Sequence, residues 1–410
     1  MLSLEEAVDR ILAGVRDCHD IEDLPTPRAL GRVLAQDVRA LADVPPWDNS
    51  AMDGYALRAA DASAHPHGLS VSQRVAAGDA PGPLTPGTCA RIFTGAPLPE
   101  GADTVVMQEH CEVLEDGRLV RCREEVDPGA NVRQRGEDML REQVVVTRGT
   151  RLTPQALGVA AGAGSAQLRV YRRPKVALLC SGDELAQPGE PLRPGQIYNS
   201  NRYTLAALVQ AAGAEVVDGG VVPDELGATR DLLRRSAQHC DLILSTGGVS
   251  VGEEDHLRQA MQAEGQVDLW QVAIKPGKPL AFGHVGRSAA AEPGVPWVGL
   301  PGNPVAAQVT FLMAVLPALK RLQGLADVAV HAFELTAAFD WPHPDRRREF
   351  LRARREADGT VSLFPRQGSA VMTSLHWANG LVDLAPGQRV RRGERVRFLP
   401  FDGAWGVGPL

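Results

Sequence analysis

Three short loops carry most of the residues that could do chemistry in this chain. The first reads Thr246-Gly247-Gly248-Val249-Ser250-Val251-Gly252-Glu253-Glu254-Asp255. Its glycines let backbone N–H groups approach an anion, and a helix starting after it favours negative charge. Ser250 adds a hydroxyl donor. The acidic end would repel a phosphate unless a cation stood between them. Asp255 together with Glu184 therefore points to Mg²⁺ bridging to phosphate oxygens, since Mg²⁺ needs only one or two carboxylates beside them. Asp255 can equally be no more than the cap of the next helix. Glu184 sits in the second loop, Ser181-Gly182-Asp183-Glu184, where either carboxylate could also be a cap. The third loop is Pro301-Gly302-Asn303-Pro304. Asn303 suits an N-cap and Pro304 a first helical turn, and a bare helix start is also an anion site.

The turn Lys275-Pro276-Gly277-Lys278-Pro279 places two cations three residues apart on a backbone stiffened by prolines. Two fixed ammonium groups suit a dianion; a tight turn with solvated lysines is the plainer alternative. Arginines 346, 347, 348, 352, 354 and 355 form a basic cluster. Alternation puts Arg348, Arg352 and Arg354 on one strand face, either solvated or facing an anion. Two polar runs, Asp48 to Tyr55 and Arg91 to Asp103, are turns or parts of a site. The six cysteines, at positions 18, 89, 111, 122, 180 and 240, include no C-x-x-C pair. Zinc and dithiol redox motifs are thus not indicated.

The elements that position these loops follow from periodicity. Residues 3–17 read as a helix with a Ser3/Glu6 capping box and an apolar face of Leu4, Val8, Ile11, Leu12 and Val15. From 44 to 141, short β-type runs at 89–93, 104–108 and 118–122 are cut by Gly and Pro, with one short helix near 58–62. Residues 142–172 read as a linking region with a helix starting at Thr153-Pro154. From 173 the pattern alternates: strands at 175–180, 215–222, 241–245 and 296–300, and helices at 202–212, 227–239, 255–263 and 304–322. That implies a doubly wound parallel sheet covered on both faces. The three glycine-bearing loops all follow strands, so they share the carboxyl edge where such sheets bind ligands. Beyond 326, strands at 328–337, 350–356, 360–363, 381–384 and 395–398 make a second small β domain. The expected division is 1–43 with 142–172 as a helical, dimerising unit, then 44–141, 173–325 and 326–410.

Bulk properties agree with a packed multidomain chain. Its 410 residues exceed one ordinary core, and 44% are hydrophobic. The formal charge of −7 argues against nucleic acid as a partner. Residues 1–20 carry Glu5, Glu6, Asp9, Arg10, Arg16 and Asp17 among their charged side chains, so no export signal is expected. The longest apolar run, 305–319, is interrupted by Gln308 and Pro317 and is short for a membrane span. A cytoplasmic protein is expected.

Taken together, several strings resemble the molybdopterin molybdenumtransferases, the MoeA family, which includes the gephyrin E domain. They are Pro45–Tyr55 with its N-S-A-M-D-G-Y core, Arg91–Asp103, Ser181–Leu185, Thr246–Asp255, Ala273–Pro279, Gly299–Pro304 and Gln367-Gly368-Ser369. They span most of the chain in family order. The resemblance implies an α/β plus β chain with a doubly wound molybdopterin-binding domain flanked by small β domains. It also implies an elongated homodimer with clefts shared between subunits. The implied substrates are adenylylated molybdopterin and molybdate, with Mg²⁺, and the products molybdenum cofactor and AMP. Carried over by motif, Glu184, Asp224 and Asp255 would form the acidic metal and phosphate region, with Asp53 and Thr94 contributed by the first β domain. Gly247, Gly248, Ser250, Pro301 and Asn303 would line the substrate site. Lys275, Lys278, Arg352 and Ser369 would form the molybdate pocket. The 346–348 stretch departs from the usual glycine-bearing version, which leaves the choice among its arginines open. Molybdopterin adenylyltransferase and a non-catalytic gephyrin-like scaffold are the competing readings. Partners of the first kind, and molybdoenzyme-maturation factors, are implied as well.

Overall fold

A computed structural model describes residues 1–16, 20–222, 225–248, 256–286 and 294–401. The central sheet has six strands. Glu215–Val222, Lys175–Ser181, Leu242–Thr246 and Val295–Leu300 are parallel neighbours in that order. Pro279–Val285 and Gly265–Gln271 then extend it as an antiparallel edge. The sequence reading assigns only the charged turn Lys275–Pro279 here and misses the strands on either side of it. Its strands are short and polar at the ends, and the prolines around the turn mask the β signal. An antiparallel edge on a parallel sheet is a common arrangement.

The two faces of the sheet bury different sets of side chains. Val176, Leu178, Leu242, Leu244, Val298 and Leu300 face one core, and Ala177, Leu179, Ile243 and Trp297 the other. This is the two-sided burial that near-continuous apolar strands require. The helix from Pro304 to Leu322 lies in the first core. It is long and apolar enough to cross a membrane, but 89% of that stretch is buried within the protein. Its middle, Phe311–Val315, widens to a π-helix. Pro317 has no N–H to give the ladder, which is reason for the wider turn before it.

The N-terminal helix, Leu4–Gly14, has the expected capping box: Glu6 N donates to Ser3 Oγ at 3.1 Å and Ser3 N to Glu6 Oε2 at 2.8 Å. Its apolar face does not pack with 142–172, as the expected grouping would have it. Leu4, Ala7, Ile11 and Val15 join the core of the central sheet. Residues 21–43 do pair with 142–171, through Ile21–Pro25 against Gln167–Tyr171 and Val38–Arg39 against Val144–Val146. The Pro154–Gly162 helix covers them, with Thr153 Oγ1 accepting from Ala156 N at 3.2 Å.

Between these halves, residues 54–122 form a six-stranded sheet in the order 104–107, 54–57, 88–92, 69–75, 119–122, 111–114. The C-terminal unit is a closed ring. Arg348–Arg355 pairs with both Thr360–Leu363 and Gly380–Leu384, and Phe333–Ala337 and Arg395–Pro400 complete the circuit. Closure gives each of these five strands a partner on both sides, which suits so small a sheet. The strand expected over 328–337 occupies only its second half.

Candidate active site

The loops after the parallel strands meet the C-terminal ring in one open cleft of about 890 Å³. Ser181, Glu184, Gly247, Gly248, Pro301 and Asn303 line it from the central sheet, and Arg347 and Ser369 from the ring. Lys275 and Lys278 stand between the two. Asp224, Ser250 and Asp255 lie outside the described residues.

Local sequence explains each placement. Gly247 has a φ of +83°, and a Cβ there would lie 2.5 Å from the Ser181 carbonyl oxygen. Only glycine lets these two loops close on each other. Thr246 Oγ1 donates to the Pro301 carbonyl at 3.0 Å. The amide of Asn201 ties the same corner, donating to Thr246 Oγ1 at 3.0 Å and to the Gly302 carbonyl at 2.8 Å. The sequence reading starts this helix at 202 and so passes over Asn201, which lies in the first turn of Ser200–Ala211. Asn303 occupies the N-cap position, but its side chain makes no capping bond. The first free N–H of that helix is used across the cleft: Val305 N donates to the Ser369 carbonyl at 3.0 Å. Ser181 Oγ is buried and has no partner among the described residues.

The cationic wall is built by carboxylates behind it. Ile274–Lys275 joins the C-terminal ring as a short parallel strand against Arg348 and Glu349. Lys275 Nζ lies 3.1 Å from the buried Glu349 carboxylate and 3.4 Å from Asp345. Arg347 closes on Asp345 through Nε at 3.0 Å and Nη2 at 2.9 Å. The Arg347 guanidinium, with Lys275 beside it, holds the Asp345 carboxyl well below the usual carboxylate range. Lys278 is exposed and makes no ion pair among the described residues. Lys275 and Arg347 are thus fixed cations, and Lys278 is one whose charge is unspent.

Arg352 requires a correction. It does not line the cleft: its exposure is 0%. Its guanidinium donates to Ser374 Oγ at 3.1 Å and to the Gly368 carbonyl at 3.0 Å. Gln367 completes the arrangement, accepting from Arg352 N at 2.9 Å and donating to the Arg352 carbonyl at 3.0 Å. Burial lowers Arg352 to about 10. It therefore shapes the 367–369 loop from behind, and Arg347 is the arginine at the cleft wall. Arg348 is committed elsewhere, bound at 2.7 Å by each oxygen of Asp383.

Asp53 and Thr94 come together, but not in this cleft. Asp53 Oδ1 accepts from both the amide and the hydroxyl of Thr94, each at 2.8 Å. Those two bonds, with Arg91 nearby, hold the Asp53 carboxyl below its ordinary range. Asp48–Tyr55 and Arg91–Asp103 form adjoining loops here, joined by Gly95 N to the Ser50 carbonyl at 2.8 Å.

The donor set bears on Mg²⁺. The described residues contain no group of three or more side chains able to cage a metal. Glu184 is a single exposed carboxylate at the cleft. That fits a hydrated Mg²⁺ shared with ligand phosphates, and not an all-protein metal site. Fixed cations and the backbone of the glycine loops give this cleft groups that can face an anionic ligand.

Comparison with known proteins agrees along the whole chain. Residues 2–164 match the family described as MoeA N-terminal region (domain I and II). Residues 177–321 match the probable molybdopterin binding domain, and 334–401 the MoeA C-terminal region (domain IV). The molybdopterin molybdenumtransferase of Haemophilus influenzae is 36% identical over 98% of this chain and 99% of its own length. Molybdopterin molybdenumtransferase 2 of Mycobacterium tuberculosis is 37% identical over 94% and 95%. The crystal structure of a molybdopterin biosynthesis MoeA protein from Pyrococcus horikoshii OT3 superposes with a TM-score of 0.85. It is 29% identical, covering 98% of this chain and all of the other. With flanking domains, central domain and overall arrangement all matched, this chain belongs to the MoeA family.

Proposed function

We propose that the protein inserts molybdenum into adenylylated molybdopterin, releasing AMP and giving molybdenum cofactor. The observation that carries this reading is the cleft itself. Glycine loops suited to phosphate face a wall of fixed cations suited to a second, tetrahedral dianion. The relatives' printed activity, molybdopterin molybdenumtransferase, supports it. Molybdate would sit between Lys275, Lys278 and Arg347, with Ser369 also lining the cleft. The dithiolene sulfurs replace oxo groups on the metal, and each oxo displaced by two thiols leaves as water. The protein contributes proximity and charge neutralisation, and no cysteine or histidine nucleophile is needed.

Glu184 would hold Mg²⁺ with Asp255, and Asp224 would add to the acidic region. When bound, the ion neutralises the pyrophosphate oxygens. Asp53 and Thr94 support a homodimer in which each cleft is completed by the other subunit, since both lie outside the cleft of their own chain. The five described cysteines form no disulfide, which supports a reducing, cytoplasmic setting. A protein of this kind receives its substrate from molybdopterin adenylyltransferase and passes product to molybdoenzyme-maturation partners.

The test is product analysis. Purified protein with Mg²⁺, adenylylated molybdopterin and molybdate should yield AMP and molybdenum-loaded cofactor in equal amounts. Pyrophosphate release from ATP and free molybdopterin would instead identify an adenylyltransferase. Tight pterin binding without turnover would identify a scaffold.

A further inference from the structure

We propose that Cys111 and Cys122 are a redox-active pair that closes to a cross-strand disulfide when the protein meets a peroxide. The two are eleven residues apart, a spacing that matches no cysteine motif, and the sheet register brings them together. Cys111–Leu114 and Leu119–Cys122 are antiparallel, with Cys111 directly opposite Cys122. The Arg121–Glu112 ion pair, at 2.5 Å, pins that register one step along.

The backbone hydrogen bonds say which kind of pair this is. Cys111 N–H is used by the Gln108 carbonyl, and Arg123 N donates to the His110 carbonyl at 2.9 Å. Cys111 and Cys122 are therefore not hydrogen-bonded partners. Such cross-strand pairs have Cα atoms about 4.5 Å apart, inside the range of roughly 4.4–6.8 Å that a disulfide spans. Both side chains point into one cluster with Tyr55, Leu57 and Leu69. The Cys111 thiol across the pair draws the Cys122 thiol below its ordinary range. Cys122 is half-buried, so a small oxidant reaches it, whereas Cys111 is 5% exposed. The neighbouring Cys89 is fully buried, and burial pushes it up to about 12, so it stays a thiol.

The chemistry balances with hydrogen peroxide as the two-electron oxidant. The Cys122 thiolate attacks one peroxide oxygen, the O–O bond breaks, hydroxide leaves, and a sulfenic acid forms. Cys111 sulfur then attacks the Cys122 sulfur, and the S–OH oxygen leaves as water. Two thiols and one peroxide give one disulfide and two waters.

The experiment treats the full folded chain with hydrogen peroxide, blocks remaining thiols by alkylation, and maps peptides without reduction. The expected result is a linked peptide joining Cys111 to Cys122, with an intact mass lower by about 2 Da, reversed by dithiothreitol. In Cys111→Ser the sulfenic acid should accumulate and react with dimedone at Cys122. In Cys122→Ser position 111 should stay unlabelled. If either variant misfolds, the wild-type map decides alone. The proposal is overturned if Cys111 and Cys122 are both recovered as alkylated thiols under conditions that cross-link the protein in urea. It is also overturned if the native link joins either of them to another cysteine.

Discussion

Arg347 lies just before the Arg348–Arg355 strand and Arg352 within it, and the two do different work. Arg352 is sealed inside the ring and holds the Gly368 carbonyl and Ser374. Replacing it by methionine removes both of these charge-assisted bonds from a buried space. Denaturant unfolding of Arg352→Met should show a loss of about 3 kcal/mol. Arg347 is half-buried at the cleft, so Arg347→Ala should cost only about 1 kcal/mol and act on anion binding. Equal losses would remove the distinction. Asp345 supplies a pH test. Its folded carboxyl lies far below the ordinary value of 3.8 because Arg347 and Lys275 pair with it. A depressed carboxyl stabilises above the unfolded value and loses that contribution as pH falls towards the folded one. The wild-type advantage over Asp345→Asn, roughly 1 kcal/mol at neutral pH after screening, should therefore shrink below about pH 4. An advantage that grows in acid would contradict the pairing. Strand alternation put Arg348, Arg352 and Arg354 on one face, but alternation does not say what covers that face. Over Arg352 it is the 364–370 loop, and a sequence offers no local signal for a loop folding back over a distant strand.

At the scale of elements, the cleft depends on turns that only glycine can make. Gly247→Ala would force a Cβ against the Ser181 carbonyl in a left-handed backbone. That conformation alone costs about 1–2 kcal/mol. The nearest atom to a Cβ at Gly302 is Gly247 Cα, at 3.9 Å. Activity should fall at least roughly tenfold in Gly247→Ala and little in Gly302→Ala, an energetic difference of about 1.4 kcal/mol or more. Matching activities would show that the two loops tolerate separation. These loops were legible because each follows an apolar strand. The Gly265–Val285 hairpin was not legible, since its register is fixed by pairing with Val295–Leu300, a contact outside any local window. The N-terminal helix was read correctly as a helix, but amphipathicity names a buried face and not the surface that buries it.

For the whole molecule, the separation of Asp53 and Thr94 from the cleft matters most. If each cleft is completed by a second subunit, Asp53→Asn and Glu184→Gln should complement one another. Random pairing makes about half the dimers mixed, each with one intact cleft of two, so activity should return to about a quarter of wild type. With subunit exchange verified by mass, activity no higher than the single variants would place all roles within one chain. The central claim, that this cleft holds molybdate on its cationic wall, has a more direct test. AMP release is followed against molybdate concentration at saturating adenylylated molybdopterin, in wild type and in Lys278→Ala. Calorimetry of adenylylated molybdopterin binding is run beside it. Lys278 has no carboxylate partner among the described residues, so its loss should not disturb the fold. The account predicts that half-saturating molybdate rises roughly tenfold, the loss of one charge-assisted contact, while adenylylated molybdopterin affinity changes less than about twofold. An unchanged molybdate requirement with weakened pterin binding would contradict it.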